Sequence, residues 1–170
     1  MRARIWTVVA LLMVSAGLLI PATASASAQA PPRCLSQNLH VYFQPDFGGG
    51  YAGGYGYDVL WENMGTSSCS LTGYPGISAL GSKLRVLGAP AGRDAIDPVT
   101  TVTMPPGGIV VSKLLITDVL AYPKAKCKPA PAFFIRAYAP GAYQADRAKA
   151  SFEACRAPGI VYMSTATVIP

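Results

Sequence analysis

Turn chemistry is what most limits the folds open to this chain. Seventeen glycines and 15 prolines fall within 170 residues. Many stand together, as in Gly73-Tyr74-Pro75-Gly76, Pro105-Pro106-Gly107-Gly108 and Pro140-Gly141. Proline presets φ near −65° and glycine accepts positive φ without a Cβ clash, so such clusters reverse the chain. The segments between them are short, which disfavours a helical bundle and suits strands.

Several of those segments alternate. Residues 35–44 set Leu39, Val41 and Phe43 against His40 and Tyr42, and residues 57–62 set Tyr57, Val59 and Trp61 against Asp58, Leu60 and Glu62. A period of two marks a half-buried strand. Further short strands are expected at 77–80, 84–87, 99–104, 132–138 and 160–169, with the apolar run 109–117 as a central one, while 69–71 leads into the next tight turn. Residues 45–56, 88–98 and 118–131 read as loops. Residues 142–154 are the ambiguous stretch: propensity favours a helix there, but Tyr143 and Phe152 are too few for an apolar stripe. The sum is an all-β, antiparallel β-sandwich of about seven to nine short strands.

The first 28 residues read as a cleaved secretory signal peptide. Arg2 and Arg4 precede an uncharged apolar core from Ile5 to Ile20, and Ala26-Ser27-Ala28 forms a small-residue exit. That core of 16 residues falls short of the ~20 a membrane span needs, and no later stretch matches it, so no transmembrane segment is expected in the mature chain. Pro31-Pro32-Arg33 before Cys34 is too bulky and charged for a lipoprotein signal. The expected organisation is a leader at 1–28, a short lead at 29–33 and one domain at 34–170, secreted without a lipid anchor. Losing the leader shortens the chain to 142 residues and lowers its formal charge from +6 to +4.

Cys34, Cys69, Cys127 and Cys155 all follow the expected cut, and an even count in an exported chain reads as two disulfides. Spacing alone leaves three pairings open. Sequential pairing, Cys34–Cys69 and Cys127–Cys155, closes the shorter loops and is favoured. A zinc site would want C-x-x-C spacing and more than the single His40.

A charged fraction of 13% with an apolar fraction of 51% excludes wholesale disorder and polyelectrolyte tails. The basic residues are scattered, except for Lys124, Lys126 and Lys128. Nucleic-acid binding wants a continuous basic stripe, so no nucleic-acid partner is expected.

The run from Leu60 to Leu80 carries a further signal: Asn63-Met64-Gly65, then Cys69, then Leu71-Thr72-Gly73-Tyr74-Pro75-Gly76 and another strand. This pattern resembles the secreted actinobacterial domains catalogued as domain of unknown function 4232. Gly88-Ala89-Pro90-Ala91, Pro106-Gly107-Gly108 and cysteines near both ends are similar too, so the resemblance spans roughly residues 34–170. It implies an exported, disulfide-bonded, immunoglobulin-like sandwich with no assigned activity, and a strand near 150–153 in place of a helix. The Gly/Tyr-rich loop and the lysine-studded loop depart from the family pattern. Within the Gly-Tyr-Pro-Gly run, Pro75 presets one turn angle and Gly76 is expected to take the positive φ that follows, with the Tyr74 ring packed on the sandwich edge.

No nucleophile elbow, P-loop or dinucleotide fingerprint is present. A Ser-His-Asp triad would have to use His40, and Asp46, Asp94 and Asp97 read as turn caps in place of calcium ligands. No cofactor, metal or catalytic residue is expected. Six of the 17 glycines lie between Gly48 and Gly56, interleaved with tyrosines that supply contact area at low entropy cost. The candidate binding loop is therefore Phe47, Tyr51, Tyr55 and Tyr57. The expected function is a non-catalytic binding module at or beyond the cell envelope, its partner a polymer or protein ligand there. The alternative is a structural, wall-associated protein held by charge through Lys124, Lys126 and Lys128. An enzyme ranks third.

Overall fold

The computed structural model describes residues 30–170, so the expected leader at 1–28 lies outside the described residues. Eleven strands form: β1 Leu39–Pro45, β2 Gly54–Asn63, β3 Cys69–Thr72, β4 Gly76–Leu80, β5 Val86–Leu87, β6 Gly92–Arg93, β7 Thr101–Met104, β8 Ile109–Thr117, β9 Pro129–Tyr138, β10 Ala145–Cys155 and β11 Met163–Thr165. One sheet has five strands in the order β1-β2-β8-β11-β6, a second has four, β10-β9-β4-β5, and β3 pairs with β7 alone. The all-β sandwich read from the sequence is what forms, with β8 central. It exceeds the expected seven to nine strands because β6, two residues long, carries no periodicity and β10 lies in the stretch whose propensity favoured a helix. It is also not wholly antiparallel, since β6 runs parallel to β11.

The alternation in the sequence matches the faces. Val41, Val59, Trp61, Val110, Leu114 and Ile116 point inward from the five-stranded sheet. They join Ile77, Ala79, Ile135, Ala137 and Ala148 of the four-stranded sheet in one core cluster. Each fully buried Val, Leu or Ile contributes roughly 1.5–3 kcal/mol. The outer face of β2 and β8 carries Asp58 and Lys113 instead.

The disulfides are Cys34–Cys69 and Cys127–Cys155, the sequential pairing. The first fastens the lead beside β3, where Arg33 bridges to Ser70 and Ser70 N donates to Pro32 O at 2.8 Å. The second joins β10 to a single-turn helix, α1, at Lys124–Cys127.

Two stretches correct the sequence expectations. Residues 118–131 are not a structureless loop: they hold a 3-10 turn at Val119–Ala121, α1 and the start of β9. Residues 145–155, rich in helix formers, are strand β10, as the resemblance implied; pairing with β9 along its length outweighs propensities worth a few tenths of a kcal/mol per residue. At the C-terminal end only Met163–Thr165 forms a regular strand.

The turn signals resolve into distinct jobs. Asn63 is buried; its Oδ1 accepts from Gly65 N at 3.0 Å, and its Nδ2 donates to Ser67 O at 2.9 Å and Met104 O at 3.1 Å. One amide thus ties the end of β2 to β7. Positive φ in the Gly-Tyr-Pro-Gly run falls on Gly73, at +100°, and not on Gly76 as expected. Gly76 already opens β4, packed on Tyr138. Tyr74 takes the Arg93 guanidinium over its ring at 5.5 Å.

Candidate functional site

The hairpin between β1 and β2 folds back across the outer face of β2. Asp46 N donates to Gly56 O at 3.0 Å, and Asp46 Oδ1 accepts from Gly48 N at 3.1 Å. A Cβ on Gly56 would run into the backbone of Gly49, 2.8 Å from its carbonyl carbon, and one on Gly54 would stand 2.5 Å from Ile116 O. Glycine density here permits close packing, and Gly54 and Gly56 lie within a strand. The expectation that the whole stretch lacks regular structure therefore fails at its last three residues, which open β2.

Lys113 on β8 holds this hairpin down. Its Nζ donates to Asp46 Oδ2 at 2.8 Å and to Asp58 Oδ1 at 2.7 Å. The hydrogen bond from Lys113, with Gly48 N, lowers the Asp46 pKa. The two carboxylates raise that of Lys113.

This folding divides the expected binding loop. Phe47 sits at the tip, 98% exposed. Tyr51 turns to the outer face, its hydroxyl 3.4 Å from Thr117 Oγ1. Tyr55 and Tyr57, two apart on β2, point the other way, toward the space between the sheets. The four residues therefore do not form one surface.

Tyr55 and Tyr57 instead line a cleft of about 780 Å³ at the open end of the sandwich. Ile116, Val119, Leu120 and Tyr122 form one wall; Phe152 and Pro129 face them. The size lies within the ~300–1,000 Å³ usual for small-ligand sites. Tyr57 and Phe152 make its aromatic floor, with Phe43 packed against both. The Phe43 and Tyr57 rings stack at 4.6 Å, and Phe152 lies 6.0 and 5.9 Å from them. A register shift between Lys149 and Phe152 sets Phe152 opposite Ala132, and a bulge of this kind commonly re-aims side chains next to sites. Burial raises the Tyr57 pKa, with a smaller contribution from Tyr55.

The rim stays apolar in water: Leu120 is 87% and Tyr55 56% exposed. Asp118 caps the 3-10 turn by accepting from Leu120 N at 2.9 Å, and Asp118 N donates to Gly53 O at 2.9 Å. Tyr122 is braced by its hydroxyl donating to Val161 O at 3.1 Å. Lys124 and Glu153 complete the mouth. Of the three clustered lysines, only Lys124 lines the cleft; Lys126 and Lys128 are exposed beside it.

Sequence reasoning missed Ile116, Val119, Leu120, Tyr122 and Phe152. The pair Val119-Leu120 inside a supposed polar loop was the available signal. His40 stands at the opposite end, its Nδ1 3.2 Å from Asp146 Oδ2, which also accepts from Val41 N at 3.0 Å; among the described residues no hydroxyl hydrogen-bonds to it. Among those residues no group of three or more His, Cys, Asp or Glu is placed to hold a metal ion, and no helix is long and apolar enough to cross a membrane.

A family model described as Domain of unknown function (DUF4232) matches residues 15–169. No curated protein and no solved structure matches the chain.

Proposed function

The chain belongs to the DUF4232 family, and from the geometry above we propose that it is an exported, non-catalytic binding module whose end cleft takes a small apolar ligand. The observation that carries this reading is the aromatic floor of Tyr57 and Phe152, backed by Phe43, beneath a rim that leaves Leu120 and Tyr55 in water. An exposed apolar rim around a concave apolar site is unfavourable unless something covers it. Export is supported by the leader pattern and by two disulfides, which persist in oxidising compartments.

Titration with anilinonaphthalene sulfonate, read by fluorescence, tests the site. The folded protein should bind about one equivalent, and Leu120→Asp with Tyr55→Ala should weaken it at least tenfold without lowering Tm, both side chains being exposed. Equal binding by that variant, or none by the parent, refutes the proposal.

A further inference from the structure

The outer face of the four-stranded sheet carries a second surface, remote in composition from the cleft. In register across β9 and β10, Arg147 stands directly opposite Arg136, and Lys149 opposite Phe134. Like charges directly opposite one another destabilise a sheet, so this juxtaposition needs a compensating partner. Among the described residues none forms an ion pair with Arg136 or Arg147; the ion pairs there involve only His40, Lys113, Asp46, Asp58 and Asp146. Arg136 Nε is buried without a hydrogen-bond partner, while its guanidinium lies 5.7 Å over the Tyr138 ring. Phe134 floors a shallow groove of about 560 Å³ between Ser82 and Leu84 on one side and Arg147 and Lys149 on the other; Asp146 also lines it, its Oδ2 already held by His40 Nδ1 and Val41 N.

We infer that this face binds an acidic polysaccharide. A cationic wall beside an aromatic floor distinguishes that ligand from a bare polyanion. The guanidinium forks of Arg136 and Arg147 pair with carboxylate or phosphate substituents, and the Phe134 ring receives the apolar face of a sugar. Strands lie about 4.8 Å apart, so four of them span roughly 14 Å, the length of about three sugar residues. The inference does not depend on the end cleft, which shares no lining residue with this groove.

Binding of an oligogalacturonate, measured by calorimetry at low salt, tests it. It should exceed binding of polyphosphate and of neutral dextran. Arg147→Gln with Lys149→Gln should weaken it about tenfold, the scale of two charge-assisted contacts. Both side chains are exposed, so Tm should hold. Phe134→Ala should weaken oligogalacturonate binding and leave polyphosphate binding unchanged, with Phe134→Tyr restoring it. Absence of oligogalacturonate binding, equal affinity for polyphosphate, or an unchanged charge variant would each overturn the inference. Anilinonaphthalene sulfonate binding in the same variants reads the cleft separately.

Discussion

Replacing Gly56 by Ala tests whether the glycine-rich hairpin is packed or merely loose. The added methyl would collide with the Gly49 backbone, 2.8 Å from its carbonyl carbon and 3.1 Å from its Cα. Those atoms are main chain, so the hairpin must lift as a whole. Lifting strains the bond from Asp46 N to Gly56 O at 3.0 Å, worth about 1 kcal/mol net. It also disturbs the packing over β2, about as much again. A loss of about 2 kcal/mol follows, or roughly 7 °C in Tm at about 3–4 °C per kcal/mol for a domain of this size. Gly50 is the internal control. It has neither positive φ nor any neighbour within 4 Å of a built Cβ, so Gly50→Ala should leave Tm unchanged or raise it by about 2 °C by restricting the unfolded chain. Thermal unfolding followed by circular dichroism distinguishes the two. If Gly56→Ala and Gly50→Ala behave alike, the hairpin does not pack on β2 and the account of the glycines is wrong.

Other outcomes follow from the same structure. Exchanging Cys127 and Cys155 for Ser opens a loop of 28 residues and should cost about 3.6 kcal/mol in the chain-entropy account, read by urea unfolding; a loss below about 1 kcal/mol would contradict it. The Asp46–Lys113 pair sets a pH dependence at both ends. Asp46 has a lowered pKa, so its contribution is present above the ordinary carboxylate range near ~3.9 and is lost as pH falls through the depressed native value. Lys113 has a raised pKa, so its contribution is present below ~10.4 and is lost as pH rises through the elevated native value; Asp46→Asn should flatten the acid limb of a Tm–pH curve. Tyr162 is buried and donates to Leu87 O at 3.2 Å, and burial pushes its phenol well above the ordinary tyrosine range. Tyr162→Phe should cost about 1 kcal/mol and leave the alkaline absorbance titration of the folded protein unaltered.

The strands that alternate cleanly were legible in the sequence, because inward and outward positions face different solvents. Residues 109–117 form β8 with the bounds the pattern suggests. Val41 and Phe43 on β1, and Val59 and Trp61 on β2, face inward as read. β5 was read, though overlong, but β6 was not legible, since two residues carry no period. Propensity alone did not give β10, which only the family resemblance implied: its own residues prefer a helix, and the partner β9 makes the extended form cheaper. For the site, Tyr55 and Tyr57 were identified but assigned to the wrong surface. Phe152 was seen as an isolated aromatic, yet its ring meets Tyr57 across 95 residues of sequence.

Composition and local pattern alone determined the class of the protein: a turn-rich, all-β chain with two disulfides. Those properties rest on interactions between near neighbours, namely φ preferences, alternation and cysteine count. Tertiary structure alone decided that the glycines serve close packing, that the tyrosines split between two faces, and that the lysine-bearing segment and β2 share one cleft. It also set Arg136 opposite Arg147. Each of these depends on strand register, which is fixed by pairing between segments far apart in the chain.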